Sequence, residues 1–286
     1  MEHKPATVRI LTMNVFGPGN PDWERRRRLL GRTLRELDAD VVALQEVPVD
    51  APDVLAELTG PEYHFAHFSH HSHDGVAGTV ATRWPHRVVA ELDLRLTERA
   101  RSTLPWCAAL LIELDTPLGK MVVTHHKPSW PLPFELERER QALLVAGFLE
   151  DHLVGRDEAH AVVLGDFDAA PDSASMRFWR GRSVVQDVSV CYQDAWEYAH
   201  PGAPGITFDL ANPLVRDGEL GTAVSRQIDH ILVRSGLHGP TLRVADCHLV
   251  LDAPVDGVWA SDHYGVVADL VAPPNQVEGR VASPAT

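Results

Sequence analysis

Short apolar runs, too brief for helices, recur along this chain, and their spacing constrains the fold more than any other feature. Residues 7–13 read as a strand. Residues 41–44 and 161–164 are apolar without alternation, the pattern of a strand buried on both faces. Residues 78–82, 106–114 and 121–124 read as further strands, as do 228–233, 241–251 and 264–270. Two helical patterns interrupt them. The first starts at Asp22, a candidate N-cap, and Leu29, Leu30, Leu34 and Leu37 form its apolar stripe. The second runs from Glu135 to about His152, with Leu136, Leu143, Leu144, Phe148 and Leu149 as its expected apolar face. Successive strands mix with strand–helix–strand units, so stacked sheets with helices outside are favoured over one doubly wound sheet.

No repeat period or Gly/Ser linker divides the chain. Residues 1–271 therefore read as a single domain, and 272–286, rich in Pro, Ala and polar residues, as a disordered tail. Of 286 residues, 44% are hydrophobic and 23% charged, which is globular composition. The longest apolar run, residues 106–112, falls far short of the roughly 18 residues of a membrane helix, so no membrane span is expected. Residues 1–5 begin no export signal. Cys107, Cys191 and Cys247 are odd in number and lie far apart. That argues against a disulfide framework or thiolate zinc site and makes a cytoplasmic location the simplest expectation. With 40 acidic against 26 basic residues, the net charge of −14 disfavours a protein built to grip duplex phosphate. A phosphate held through a metal ion is compatible with it.

Chemistry-bearing residues concentrate where the expected strands end. Asn14 follows the first strand, Glu46 the run at 41–44, and His125 ends another. Asp166 and Asp168 sit in Gly-Asp-Phe-Asp, Asp229 in Gln-Ile-Asp-His, and Asp262 with His263 in Ser-Asp-His. Strand tips in layered folds are where rigid scaffolds present reactive side chains. Asn14, Glu46 and Asp262 are hard oxygen donors of the kind that hold Mg2+ or Mn2+. Such an ion polarises a phosphoryl oxygen. Asp166 is placed to orient or deprotonate a water. A His beside a phosphoryl oxygen can donate to developing charge, and Asp229 is the natural carboxylate to orient His263. Each feature alone has a plain reading as a turn, a cap or a solvated acid. Their combination and order carry the argument.

Thr-Met-Asn14-Val, Leu-Gln-Glu46-Val, Val-Thr-His125, Gly-Asp166-Phe-Asp168-Ala-Ala-Pro-Asp-Ser, Ile-Asp229-His-Ile-Leu and Ser-Asp262-His263 together resemble the endonuclease/exonuclease/phosphatase superfamily, over roughly residues 7–271. The strand leading to Arg83 and the pair Arg138 and Gln141 agree with it. The resemblance implies an α/β four-layer sandwich with two central mixed β-sheets flanked by helices. It implies Asn14, Glu46 and Asp262 around Mg2+ or Mn2+, Asp166 positioning the attacking water, and His263, backed by Asp229, on the scissile phosphate. His125 would contact the phosphate or aid the leaving group. One position departs: the family usually carries Asn where this chain has Asp168. An amide donates to phosphate, whereas a carboxylate only accepts. Asp168 is therefore expected to face the metal, as an additional ligand or part of a changed reaction.

Other features have two readings each. His126, Lys127 and Trp130 are candidates for the substrate entrance, or belong to a Pro-rich loop that packs its own Trp. Arg101, with Arg99, is a candidate for a second phosphate, although pairing with Glu98 accounts for it equally. The His-rich stretch 64–73 is expected to be a flexible loop, and Arg25–Arg28 a solvated helix face. The leading expectation is a metal-dependent phosphoesterase acting on a small molecule or lipid headgroup, monomeric by default. A nuclease of the same mechanism is second, and a member that lost or changed the chemistry is third. Specificity is expected to lie in loops 66–75, 127–134 and 200–222.

Overall fold

The computed structural model describes residues 6–274 except 157, 219 and 223, so most of the expected tail at 272–286 lies outside the described residues. In chain order the strands are β1 (Thr7–Asn14), β2 (Val41–Pro48), β3 (His64–His67), β4 (Val76–Thr82), β5 (His86–Asp93), β6 (Ala108–Thr116), β7 (Gly119–Lys127), β8 (His160–Asp166), β9 (Tyr192–Asp194), β10 (Asp229–Gly236), β11 (Gly239–Pro240), β12 (Arg243–Val250) and β13 (Gly265–Val271). The helices are α1 (Trp23–Leu37), α2 (Pro52–Thr59), α3 (Glu98–Thr103), α4 (Glu135–Leu153), α5 (Ala174–Trp179), α6 (Ala195–Ala199) and α7 (Pro213–Arg216).

Two mixed sheets result. One has the order β12-β13-β1-β2-β4-β3; the other has the order β11-β10-β8-β7-β6-β5, with β9 on β10. Each contains one parallel pair, β1 with β2 around the α1 crossover and β7 with β8 around α4; the other pairings are antiparallel. The apolar runs explain the layering. Side chains alternate across a strand, so Val41 and Ala43 enter the core between the sheets while Val42 and Leu44 enter the core under α1 and α2. Likewise Val162 and Leu164 face the first sheet, and Ala161 and Val163 face α4. Each central strand serves two cores, and the layers are helix, sheet, sheet and helix.

Several expectations change in detail. On α4, Leu136, Leu144 and Phe148 are 52%, 38% and 36% exposed. The buried face follows Glu137, Arg138, Gln141, Ala142, Val145, Ala146, Leu149 and Leu153. Its stripe opens with three polar residues whose hydrogen bonds are satisfied internally, so the leucines alone misplace it. Arg138 donates to the carbonyls of Ser129, Pro131 and Leu132 and fixes the loop after β7. Asp22 occupies the N-cap of α1, but with φ 56° and no side-chain cap. The His-rich stretch is not all loop: β3 is an edge strand on β4, and His67 Nδ1 meets Thr79 Oγ1 at 2.7 Å. All three cysteines are free, Cys191 exposed and the others buried. Among the described residues no helix is long and apolar enough to cross a membrane.

Within the basic run Arg25 and Arg28 are exposed as expected, but Arg26 is not. It is 1% exposed, and its guanidinium donates to the carbonyls of Val15, Phe16, Gly17, Pro21 and Ala260. It thereby ties the β1–α1 loop to the segment before Asp262. Replacing it with Met would leave those buried acceptors without a donor. Arg26→Met is expected to lower stability by about 3 kcal/mol, read as a fall in urea midpoint at unchanged slope.

Candidate active site

The topology brings strand ends together. Asn14 ends β1 and Glu46 lies near the end of β2, at the C-terminal edge of the first parallel pair. Lys127 and Asp166 end β7 and β8, at the corresponding edge of the second. The sheets stack with β1 and β2 against β8, so the two edges meet. Asp229 opens β10 in register with Asp166, and Asp262 and His263 precede β13, which runs antiparallel to β1. Parallel strand tips are the usual place for ligands in α/β folds.

Local backbone features aim the groups. The β2–β4 register shifts between Leu44 and Val47, and within that bulge Glu46 adopts φ 60°. Asp168 stands at φ 51°. Left-handed backbone at non-glycine residues costs free energy and clusters at functional sites. Gly165 has φ +151°, and a Cβ there would lie 2.1 Å from the His126 carbonyl oxygen. Only glycine admits this approach of β8 to β7, which explains the Gly of Gly-Asp-Phe.

Asn14, Glu46, Lys127, Asp166, Asp168, Asp262 and His263 all line a cavity of about 780 Å³. Asn14 Nδ2 donates to Glu46 Oε1 at 3.0 Å and to Asp166 Oδ2 at 3.1 Å. His263 Nδ1 meets Asp229 Oδ2 at 2.9 Å, and its Nε2 lies 3.9 Å from Asp166 Oδ2. Burial opposes a charged imidazole, but Asp229, Asp166 and Asp262 outweigh it and raise the His263 pKa well above its ordinary value. Ser261 Oγ donates to the Asn14 carbonyl at 2.7 Å and holds the Ser-Asp-His turn against β1.

Lys127, read from sequence only as part of the entrance, sits at the centre. Its Nζ donates to Asp166 Oδ2 at 2.7 Å and also to Asp168 Oδ2. Against the pull of burial, these two carboxylates hold the ammonium above its ordinary pKa. One ammonium does not neutralise two acids. Asp166, which also receives Asn14 and faces His263, is held below the usual carboxylate range despite its burial. Asp168, buried beside Asp166, is pushed up to about 6 although Lys127 opposes this. The sequence signal was available: an acid where an amide is usual calls for a nearby cation, and Lys127 shares its strand face with His125.

Three candidates lie elsewhere. His125 is fully buried between the sheets, with its Nε2 2.7 Å from the Gln45 amide; burial, aided by His126 and Lys127, pushes it down to about 3. His126 points to the opposite face, with ring centroids 4.9 Å from Phe167 and 5.9 Å from Trp179. Side-chain alternation along β7 accounts for this. Arg101 is outside the cavity, 3.5 Å from Glu98 and donating to the Arg95 carbonyl. His230 was passed over. Its Nδ1 meets Asp194 Oδ2 at 2.7 Å and its Nε2 meets the Ala169 carbonyl at 3.0 Å, bracing the turn that carries Asp166 and Asp168.

The donor set fits a hard divalent cation. Glu46 and Asp262 offer carboxylate oxygens, whereas Asn14, expected from sequence as a third ligand, accepts from the Phe16 amide at its Oδ1 and turns its Nδ2 to Glu46 and Asp166. Asp262 is crowded: burial, joined by Glu46 and Asp166, pushes its carboxyl up to about 7, although His263 and Ser261 pull the other way. The cleft thus carries negative charge that Lys127 and His263 leave unbalanced.

The chain matches the profile of the Endonuclease/Exonuclease/phosphatase family over residues 11–263, and it belongs to that family. Its members are metal-dependent hydrolases of phosphodiester bonds. No curated protein sequence matches it significantly. Among solved structures it is similar to D. rerio TDP2 complexed with a single-strand DNA product, at 19% identity and TM-score 0.69, covering 92% of this chain and 98% of that one. The human nocturnin catalytic domain with bound sulfate gives 19%, 0.67, 94% and 94%. A Bacteroides vulgatus endonuclease/exonuclease/phosphatase gives 21%, 0.66, 93% and 99%. These likenesses establish the fold, two mixed sheets flanked by helices.

The Lys127 arrangement makes a stability prediction. Lys127→Met leaves two carboxylates buried together and is expected to cost about 3 kcal/mol. Adding Asp168→Asn to that variant should recover more than half of the loss, because one of the uncompensated charges goes with it. Urea unfolding of the single and double variants in EDTA checks this; strictly additive losses would show that the two side chains act independently.

Proposed function

We propose that this protein is a divalent-metal-dependent phosphoesterase hydrolysing a phosphate ester of a small molecule or lipid headgroup. The observation that carries the reading is the joint placement of the His263–Asp229 pair and Asp166 beside Asn14, Glu46 and Asp262. In this reading Glu46 and Asp262 would hold Mg2+ or Mn2+, with Asn14 fixing the Glu46 carboxylate through its Nδ2, and the ion would supply charge neutralisation at the phosphoryl group. Asp166, ionised and fixed by Asn14 and Lys127, orients the attacking water. His263 presents its Nε2 to the phosphate and Asp229 fixes its orientation. Asp168, expected from sequence to face the metal, instead anchors Lys127, and the Lys127 ammonium restores the donor that the carboxylate removes. His125 takes no part in the chemistry and instead packs between the sheets against Gln45 and Phe68.

The second reading, a nuclease, is supported by the likeness to a TDP2 structure holding a single-strand DNA product. Net charge favours the first. Salt separates them: binding that releases many counterions weakens steeply with salt, while a small ester responds little.

The test is a panel of phosphate mono- and diesters with magnesium, manganese or calcium. Turnover is expected with metal and should stop in EDTA. Glu46→Ala and His263→Ala should each lower kcat by at least about a hundredfold, and Asp229→Asn by a comparable factor with KM little changed. Activity near that of the parent protein in His263→Ala would overturn the assignment.

A further inference from the structure

The cleft's charge and walls narrow the substrate; this inference rests on the hydrolase reading above. Lys127 is the only Lys or Arg among the described residues lining the cavity, and its Nζ is already held by Asp166 and Asp168. Asp74 and Asp217 add acidic groups to the lining. A chain of phosphates is gripped by successive cations, and none is provided for a second phosphate.

Much of the remaining wall is apolar and held in place. Trp130 is 43% exposed, yet its loop is clamped by Arg138 through the carbonyls on either side. Trp106 lines the same cavity. A large aromatic kept in a cleft on a fixed loop is a contact surface awaiting an apolar group. A second apolar surface comes from 207–228. Phe208, Val215 and Ile228 form a small core separate from the main ones, and Leu214 joins Phe208 in the cavity lining. This surface is indexed to the chemistry. Phe208 pairs with His263 through a β-bridge, their rings 5.1 Å apart. Asn212 accepts from the Leu214 amide at 3.0 Å and donates to the Ser261 carbonyl at 2.8 Å.

We propose that the substrate is a phosphodiester with a single phosphate and an uncharged apolar arm, which rests on Trp106, Trp130, Phe208 and Leu214 while its phosphate meets His263. Hydrolysis adds water across one P–O bond. The water oxygen bonds to phosphorus, the bond to one ester oxygen breaks, and the departing alcohol carries one proton of that water.

The experiment compares methyl and hexyl p-nitrophenyl phosphate, which share a leaving group, and a short single-stranded oligonucleotide, all with the magnesium-loaded protein. At about 0.8 kcal/mol per buried methylene, partial burial of the hexyl arm should raise kcat/KM by at least about tenfold, chiefly through KM. Trp130→Ala should reduce that preference to below about threefold, and added salt should leave it unchanged. Equal rates for the two esters, or faster and steeply salt-dependent cleavage of the oligonucleotide, would overturn the proposal while leaving hydrolysis in place. Absence of turnover on every ester would overturn the hydrolase reading. Calorimetric titration with hexylphosphonate and methylphosphonate then judges the cleft by itself: about tenfold tighter binding of the hexyl compound, lost in Trp130→Ala, supports the apolar arm, and equal affinities refute it.

Discussion

Placing several carboxylates in one cleft is costly unless each finds a cation or a hydrogen-bond donor, and the architecture around this site answers that cost. Asp229 is answered by His263, Asp166 by Asn14 and Lys127, and Asp168 by Lys127. Glu46 and Asp262 make no ion pair with Lys127, and they are the groups to which the proposed function gives the divalent ion. The donors arrive from different strands, so the pairing depends on the stacking of the two sheets. Arg26 and Ser261 add ties between the β1 end and the segment carrying Asp262.

The layered fold was legible because each central strand serves two cores, and a strand with two apolar faces has an unbroken apolar run. Residues 41–44 and 161–164 show this directly. The site was legible where side chains sit at strand ends. Less visible was anything that depends on which way a residue turns. His125 and His126 are neighbours with opposite surroundings, neither of them the cavity, and Arg26 is buried among carbonyls that no local pattern marks. On α4 the interior stripe starts with Glu137, Arg138 and Gln141, so of the expected leucines and Phe148 only Leu149 is fully buried. The partner of Asp168 lies 41 positions away on another strand, a separation at which only the sheet topology, β7 beside β8, makes the pair obvious.

Membership of the family and likeness to structures such as TDP2 and nocturnin define a scaffold shared by proteins at 15–21% identity. Scaffold and substrate are separable. In this chain the separation is physical: the acids and His263 stand at or next to strand tips, whereas the apolar wall of the cavity comes from Trp106, ahead of β6, and from loops 127–134 and 200–222. The latter has its own small core, so its shape can vary without disturbing the sheets beneath.

Asp229 and His230 are adjacent on β10 and face opposite layers, one orienting His263 and the other bracing the turn at Ala169. Sliding β10 by a single residue against β8 would exchange them, presenting an imidazole to an imidazole on one side and a carboxylate to a carbonyl on the other. On this strand alignment therefore matters as much as composition. A one-residue insertion ahead of Asp229 would be as damaging as losing either side chain.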